Sequence, residues 1–208
     1  MLNIVVLVSG GGSNLQALID AQKDGILKSG KIVKVIADRD AYAKTRAEEN
    51  NIPFDQINRK DYSNKEDFCD ALSISIEKED ADLIVLAGFL SILTEKFTKN
   101  FENKIVNVHP SLIPSFCGDG MYGLKVHEAA LNKGVKVTGA TVHFVNAITD
   151  GGAIILQKAV EVKNEDTPEI LQKRVMREAE WKILPLACEY FCSGKLEIDG
   201  KVVKIKEN

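Results

Sequence analysis

The segment NVHPSLIP, residues 107–114, follows the apolar pair Ile105-Val106, so a strand that reads as buried ends in an amide, an imidazole and two prolines. Alternation along an extended chain puts Asn107 and His109 on one side and Val108 on the other, so both polar groups can address a single ligand atom. Such a pair suits a carbonyl that gains negative charge during attack, and an imidazole that titrates near neutrality can also supply a proton. Pro110 and Pro114 stiffen the chain just beyond. The plainer alternative is a capping asparagine and a hydrogen-bonded histidine at a strand end.

Two further stretches carry similar promise. Ser9-Gly10-Gly11-Gly12-Ser13-Asn14 lies between an apolar run and an amphipathic one, where glycines let the backbone approach a ligand and the open N–H groups of a helix start favour a phosphate. It lacks the GK[ST] of a Walker A loop, and Leu15 or Gln16 stands where GxGxxG needs its third glycine, so the alternative is a tight turn capped by Ser13 or Asn14. Asp150-Gly151-Gly152 marks a late turn whose aspartate could fold back, raise the pKa of a nearby imidazole and orient it, or could simply shape the turn. Sequence spacing alone does not bring Asp150 to His109.

The elements that must position these residues alternate. Apolar runs at Ile4–Val8, Ile32–Ala37, Phe54–Ile57, Leu83–Ala87 and Ile105–Val108 are interleaved with amphipathic stretches at Leu15–Ala21, Ala43–Glu49 and Lys65–Lys78 and a short helical turn after Ala87. This rhythm predicts an α/β fold, a mostly parallel central sheet with helices on both faces. Val135–Val145 and Ala153–Val162, joined by a turn-rich segment, predict antiparallel C-terminal strands. A helix is expected over residues 168–192, with Thr167 as N-cap and Pro168 in its first turn, followed by a hairpin at Asp199-Gly200. In an open parallel sheet the crevice lies beyond the carboxyl ends of the strands, where Asn107 and His109 stand.

Composition bounds the partners. With 27% charged residues and a net charge of -3, the chain offers no broad basic field for a polyanion. Neither a basic leader nor a long apolar stretch appears, so a cytoplasmic protein is expected, without nucleic-acid or membrane partners. The four cysteines form no CxxC pair and are expected reduced, with Cys188 and Cys192 packing one helical turn apart. His127 on a helix and His143 on a strand lack zinc-ligand spacing, so no metal is expected. The acidic run from Glu161 to Asp166 reads as a solvated loop.

Taken together, NIVVLVSGGGSNLQALID, DLIVLAGFLSIL, NVHPSLIP, KVTGATVHFV and the DGG turn with IILQ after it closely resemble the folate-dependent formyltransferases, and within them those acting on glycinamide ribonucleotide in purine synthesis. The resemblance runs over nearly the whole chain. It implies a Rossmann-like formyltransferase fold in a single domain, residues 1–208, with a parallel phosphate-binding part over 1–108 and a folate-binding C-terminal part over 109–208. It further implies 10-formyltetrahydrofolate as co-substrate, direct attack by the amino group of glycinamide ribonucleotide, and a monomer or homodimer.

By position the resemblance assigns Asn107, His109 and Asp150 to catalysis, with Asn107 and a protonated His109 on the oxyanion and Asp150 raising the imidazole pKa. Gly12, Ser13 and Asn14 fall on the loop for the substrate phosphate, and Glu180 on a carboxylate for the ribose hydroxyls. Leu90, Ser91, Ile92 and Leu93 fall on the segment holding the pterin, closed by residues 145–149 from Val145, with Asn107 and Asp150 also at the folate. Lys65 falls where relatives carry a basic residue near the folate. Ser91 replaces the arginine of many relatives. Residues 115–122, SFCGDGMY, replace a commoner PG-containing loop, implying an altered lid and an accessible Cys117. Four alternatives are weighed beside this reading: a formyltetrahydrofolate hydrolase, another folate formyltransferase such as the methionyl-tRNA enzyme, a non-catalytic phosphate- or nucleotide-binding module, and a dinucleotide oxidoreductase. The first two are disfavoured because strand one begins at residue 2 and only about sixteen residues follow the last expected helix. A dinucleotide oxidoreductase is disfavoured by the broken GxGxxG.

Overall fold

A computed structural model describes residues 1–206. The apolar runs become strands β1 (Leu2–Val8), β2 (Gly30–Ala37), β3 (Phe54–Gln56), β4 (Leu83–Leu86) and β5 (Ile105–His109), which join in the order β3-β2-β1-β4-β5 with every neighbouring pair parallel. The chain therefore builds outward from β1 in one direction, then crosses back and builds in the other. Between β1 and β4 the connections leave on opposite sides, which opens a crevice beyond the strand ends.

Both faces of this sheet are covered, which explains why its strands are continuously apolar rather than alternating. In β1, Ile4, Val6 and Val8 enter one core and Val5 and Leu7 the other. The first core packs under α1 (Ser13–Lys23), α2 (Ala43–Glu49) and the C-terminal helices; the second packs under α3 (Lys65–Glu77) and α4 (Glu95–Asn100).

Beyond β5 the direction reverses as expected. After α5 (Leu124–Lys133), β6 (Val137–Phe144) runs antiparallel to β5, setting Asn107 opposite His143, and β7 (Ile154–Glu161) runs antiparallel to β6. The terminal hairpin, β8 (Leu196–Asp199) and β9 (Val202–Ile205), turns at Gly200 and joins the same nine-stranded sheet through β9. No helix among the described residues is long and apolar enough to cross a membrane.

Two expectations need correction. The helical run over residues 168–192 is not one regular helix: α6 (Pro168–Val175), capped by Thr167, passes through a π-helical turn, Met176–Glu180, before α7 (Trp181–Cys192). A π-turn displaces the following side chains around the axis, and here it turns Glu180 into the interior. The acidic run is also not simply solvated. Asp166 accepts a forked pair of hydrogen bonds from Arg174 and another from the Lys163 N–H, while Arg174 also binds the Glu161 carbonyl, so this loop is latched to α6 by a largely buried ion pair.

The glycine-rich turn is held just as closely. Gly12 has φ +68°, and a Cβ built there would stand 2.9 Å from the Ala43 Cβ and 3.1 Å from its Cα, whereas Gly10 and Gly11 face open space. Gly12→Ala combines left-handed strain with a backbone clash and is expected to destabilise the protein by about 1–3 kcal/mol, against less than ~1 kcal/mol for Gly11→Ala. Urea unfolding of the two variants checks this; equal midpoints would show that α2 yields to the added methyl.

Candidate active site

The crevice holds a cavity of about 660 Å³ whose wall includes the glycine turn after β1, residues 86–93 from the last residue of β4 onward, the end of β5, residues 118–123, residues 145–150 and Glu180. Of the residues singled out in the sequence, Gly12, Ser13, Asn14, Leu90, Ser91, Ile92, Leu93, Asn107, His109, Val145, Asp150 and Glu180 all stand in this wall. Lys65 does not. It is the first residue of α3, behind an Asn64 cap, exposed and outside the cavity lining.

At the glycine turn, neither Ser13 nor Asn14 caps α1; Gly12 occupies the cap position in a left-handed conformation with no side-chain bond. The first N–H groups of the helix therefore remain open towards the cavity, the arrangement that suits an anion. Asn14 instead turns its amide to Glu180, donating from Nδ2 to Oε2 at 2.8 Å, while its own Oδ1 is buried without a partner. Burial pushes the Glu180 carboxyl up to about 7, with the Asn14 bond pulling the other way.

A left-handed Asp150 and the two small residues after it explain how that turn reaches the sheet end: Asp150 has φ +54°, and a Cβ on Gly152 would fall 1.8 Å from the Phe144 carbonyl oxygen. Only glycine permits so close an approach. The turn thereby carries the Asp150 carboxylate between two imidazoles, Oδ2 lying 3.5 Å from His109 Nδ1 and Oδ1 lying 3.6 Å from His143 Nε2. A 2.8 Å bond from the Gly118 N–H holds it. Burial alone would raise this carboxyl; the neighbouring His143 ring, the bond from the Gly118 N–H and the His109 ring bring it below the usual carboxylate range.

His143 was not among the expected site residues. Its Nδ1 lies 2.7 Å from the Phe144 carbonyl, which makes Nδ1 the protonated nitrogen and leaves Nε2 to accept from Asn107 Nδ2 at 3.3 Å. Asn107 is thus oriented by its cross-strand partner. The available signal was β-alternation: once β5 and β6 pair antiparallel with Asn107 opposite His143, both side chains fall on one face.

The loop at residues 115–123 bears directly on the trio. His109 Nε2 lies 2.9 Å from the Phe116 carbonyl, and the Gly118 N–H donates to Asp150, so this loop occupies one edge of the imidazole. The expected upward shift of His109 is not found: burial lowers its pKa, outweighing the Phe116 bond and the Asp150 charge that raise it. Cys117 is part-exposed on the same loop, its thiol bonded to the Pro114 carbonyl.

Two further groups were missed. Asp38, at the end of β2, is buried beside the cavity with Ser9, Arg39 and Ser91 as partners. His127, on α5, is fully buried with both ring nitrogens unpartnered, and burial, aided by His109, pushes it down to about 4. Among the described residues no cluster of three or more His, Cys, Asp or Glu side chains is arranged to hold a metal ion.

The His127 shift gives a signed expectation. Its ordinary value is 6.5 and its folded value about 4, so the unfolded chain takes up more protons between them and stability falls as pH drops through that window, by up to about 3 kcal/mol. Glu180 acts in the opposite sense, losing its contribution as pH rises from 4.5 towards about 7. Comparing wild type with His127→Leu isolates the histidine, because every other group is shared. Urea unfolding at about pH 7 and about pH 5 should show the larger acid loss in wild type; identical losses would sink the assignment.

Residues 2–188 match the family model described as Formyl transferase. The phosphoribosylglycinamide formyltransferase of Haemophilus influenzae is 43% identical over 98% of this chain and 96% of its own length. The human trifunctional purine biosynthetic protein adenosine-3 is 44% identical over 98% of this chain, which spans 20% of that longer protein. Among solved structures, glycinamide ribonucleotide transformylase 1 from Symbiobacterium toebii superposes with a TM-score of 0.93 at 40% identity, covering 100% of this chain and 95% of that one. A formyltetrahydrofolate deformylase from Pseudomonas syringae is similar at 25% identity and a TM-score of 0.88, with this chain covering 66% of it.

Proposed function

The chain belongs to the formyl transferase family, and on that premise we propose how its site carries out the reaction. It is a phosphoribosylglycinamide formyltransferase of purine biosynthesis, adding a formyl group to the amino group of glycinamide ribonucleotide. The deformylase reading has only the more distant neighbour in its favour. The reading of the site rests above all on one observation: Asn107, His109 and Asp150 meet at one end of a crevice whose other end offers an uncapped helix start and a buried carboxylate.

The donor is 10-formyltetrahydrofolate. Its flat pterin suits the slot between residues 90–93 and 145–149, where Leu90, Ile92 and Ile148 are exposed apolar side chains in want of a covering surface. The ribonucleotide places its phosphate on the N–H groups of Gly12, Ser13 and Asn14 and its ribose hydroxyls on Glu180, with the orphaned Asn14 Oδ1 able to accept from a hydroxyl. Residues 1–108 then supply the phosphate side and residues 109–208 most of the folate side of one formyltransferase domain, acting as a monomer or homodimer in the cytoplasm.

In the reaction the amine nitrogen attacks the formyl carbon, and the carbonyl oxygen gains charge opposite Asn107 Nδ2, which His143 holds in place. Collapse breaks the bond to N10 of the folate, and the proton lost by the amine goes to N10. The lid must first release His109. Opening hydrates the ring, which removes the downward push of burial and leaves the upward push of Asp150, so lid motion and imidazole protonation are coupled. Protonated, His109 stabilises the oxyanion together with Asn107 and relays the proton through water to N10.

Spectrophotometric assay of folate release should show dependence on glycinamide ribonucleotide; release without it would favour the deformylase. His109→Ala and Asp150→Asn should each lower kcat by about 10²–10⁴-fold while ribonucleotide affinity changes by less than about tenfold. Full turnover in either variant would overturn the trio.

A further inference from the structure

We propose that Arg39 is the residue that binds a carboxylate of the donor's glutamyl tail, a role that rests on the folate reading above. A folate carries at least one glutamyl group, whose carboxylates are anionic at neutral pH and call for a cation at the end of the slot. Among the described residues in the cavity wall, Arg39 is the only lysine or arginine. Lys65 stands outside that wall and position 91 is a serine.

The geometry around Arg39 is built rather than incidental. Its Nε and Nη2 donate to Asp38 Oδ1 and Oδ2 at 2.9 and 3.0 Å, and the Asp38 side chain is 0% exposed while that of Arg39 is 48% exposed. Ser91 Oγ donates to the same Oδ2 at 2.5 Å, and Ser9, whose hydroxyl accepts from the Leu90 N–H at 2.7 Å, supports the same carboxylate. The serine at position 91 is therefore not a lost contact. It locks the aspartate that aims the arginine.

A guanidinium has five N–H donors, and Asp38 uses two. The two on Nη1 and the outer one on Nη2 have no side-chain bond among the described residues, and together they form a second planar fork matched to a carboxylate. Because Ser91 and Arg39 converge on one oxygen of Asp38 and both line the cavity, the arginine stands beside the segment assigned to the folate. Asp38 neutralises the pair, so the arginine contributes direction more than long-range attraction, and a free anion such as the substrate phosphate gains little from it.

Steady-state kinetics on the full chain test this, using 10-formyltetrahydrofolate and its analogue lacking glutamate, 10-formyltetrahydropteroate. Arg39→Ala should raise KM for the folate donor about tenfold or more with kcat within about threefold of wild type, leave KM for glycinamide ribonucleotide in place, and have no effect on KM for the pteroate donor. Arg39→Gln, which can still donate to Asp38 but carries no charge, should behave alike and carries the test if the alanine variant misfolds. An equal rise in KM with both donors, a rise in KM for the ribonucleotide instead, or no change would each overturn the proposal. Loss of ribonucleotide-dependent transfer in wild type would instead overturn the functional reading itself.

Discussion

The site depends on the parallel pairing of β1 with β4 at the centre of the sheet. Parallel strands need crossovers, and when successive crossovers leave in opposite directions no helix can cover the strand ends between them. That uncovered gap receives three chain exits at once: the glycine turn after β1, residues 87–93 after β4, and Asn107 and His109 at the end of β5. The glycine turn, one wall of the folate slot and the Asn107–His109 pair come together because these exits lie side by side. The adjacent hydrogen bond from the Ser9 N–H to the Gly88 carbonyl, at 3.1 Å, shows how closely two of them are tied.

On this frame the antiparallel extension adds the remaining chemistry. Pairing β6 against β5 delivers His143 to Asn107, and the tight return into β7 delivers Asp150 between the two imidazoles. The side chains of His109, His143 and Asp150 are all largely buried, yet each has a polar partner, the condition under which buried polar clusters hold a fixed shape. The lid then becomes part of the same network through the Phe116 carbonyl and the Gly118 N–H, so a change in loop position is felt directly by the groups that move protons.

A second buried cluster, Asp38 with Ser9, Arg39 and Ser91, occupies the opposite shoulder of the crevice. Here burial again favours the neutral acid, but hydrogen bonds from Arg39, Ser91 and Ser9 hold the carboxylate ionised. The π-turn at Met176–Glu180 is a third device of the same kind, spending regular helix geometry to bring one carboxyl inward against Asn14. All three clusters contribute residues to the wall of one cavity.

Much of this was legible in the sequence because it depends on local pattern. Continuous apolar runs alternating with amphipathic ones dictate a covered parallel sheet, Thr167-Pro168 dictates a helix start, Asp199-Gly200 a hairpin, and polar residues closing an apolar strand mark the crevice at Asn107 and His109. What the tertiary structure alone decided are distances between residues far apart in the chain. His143 reaches Asn107 only through the β5–β6 register, Asn14 reaches Glu180 across 166 positions only through the π-turn, and Lys65 lies outside the cavity because α3 points it to solvent. The direction of the His109 shift likewise needed the fold: sequence supplies the neighbouring charge, but desolvation, the larger force here, exists only once the ring is buried in the folded chain.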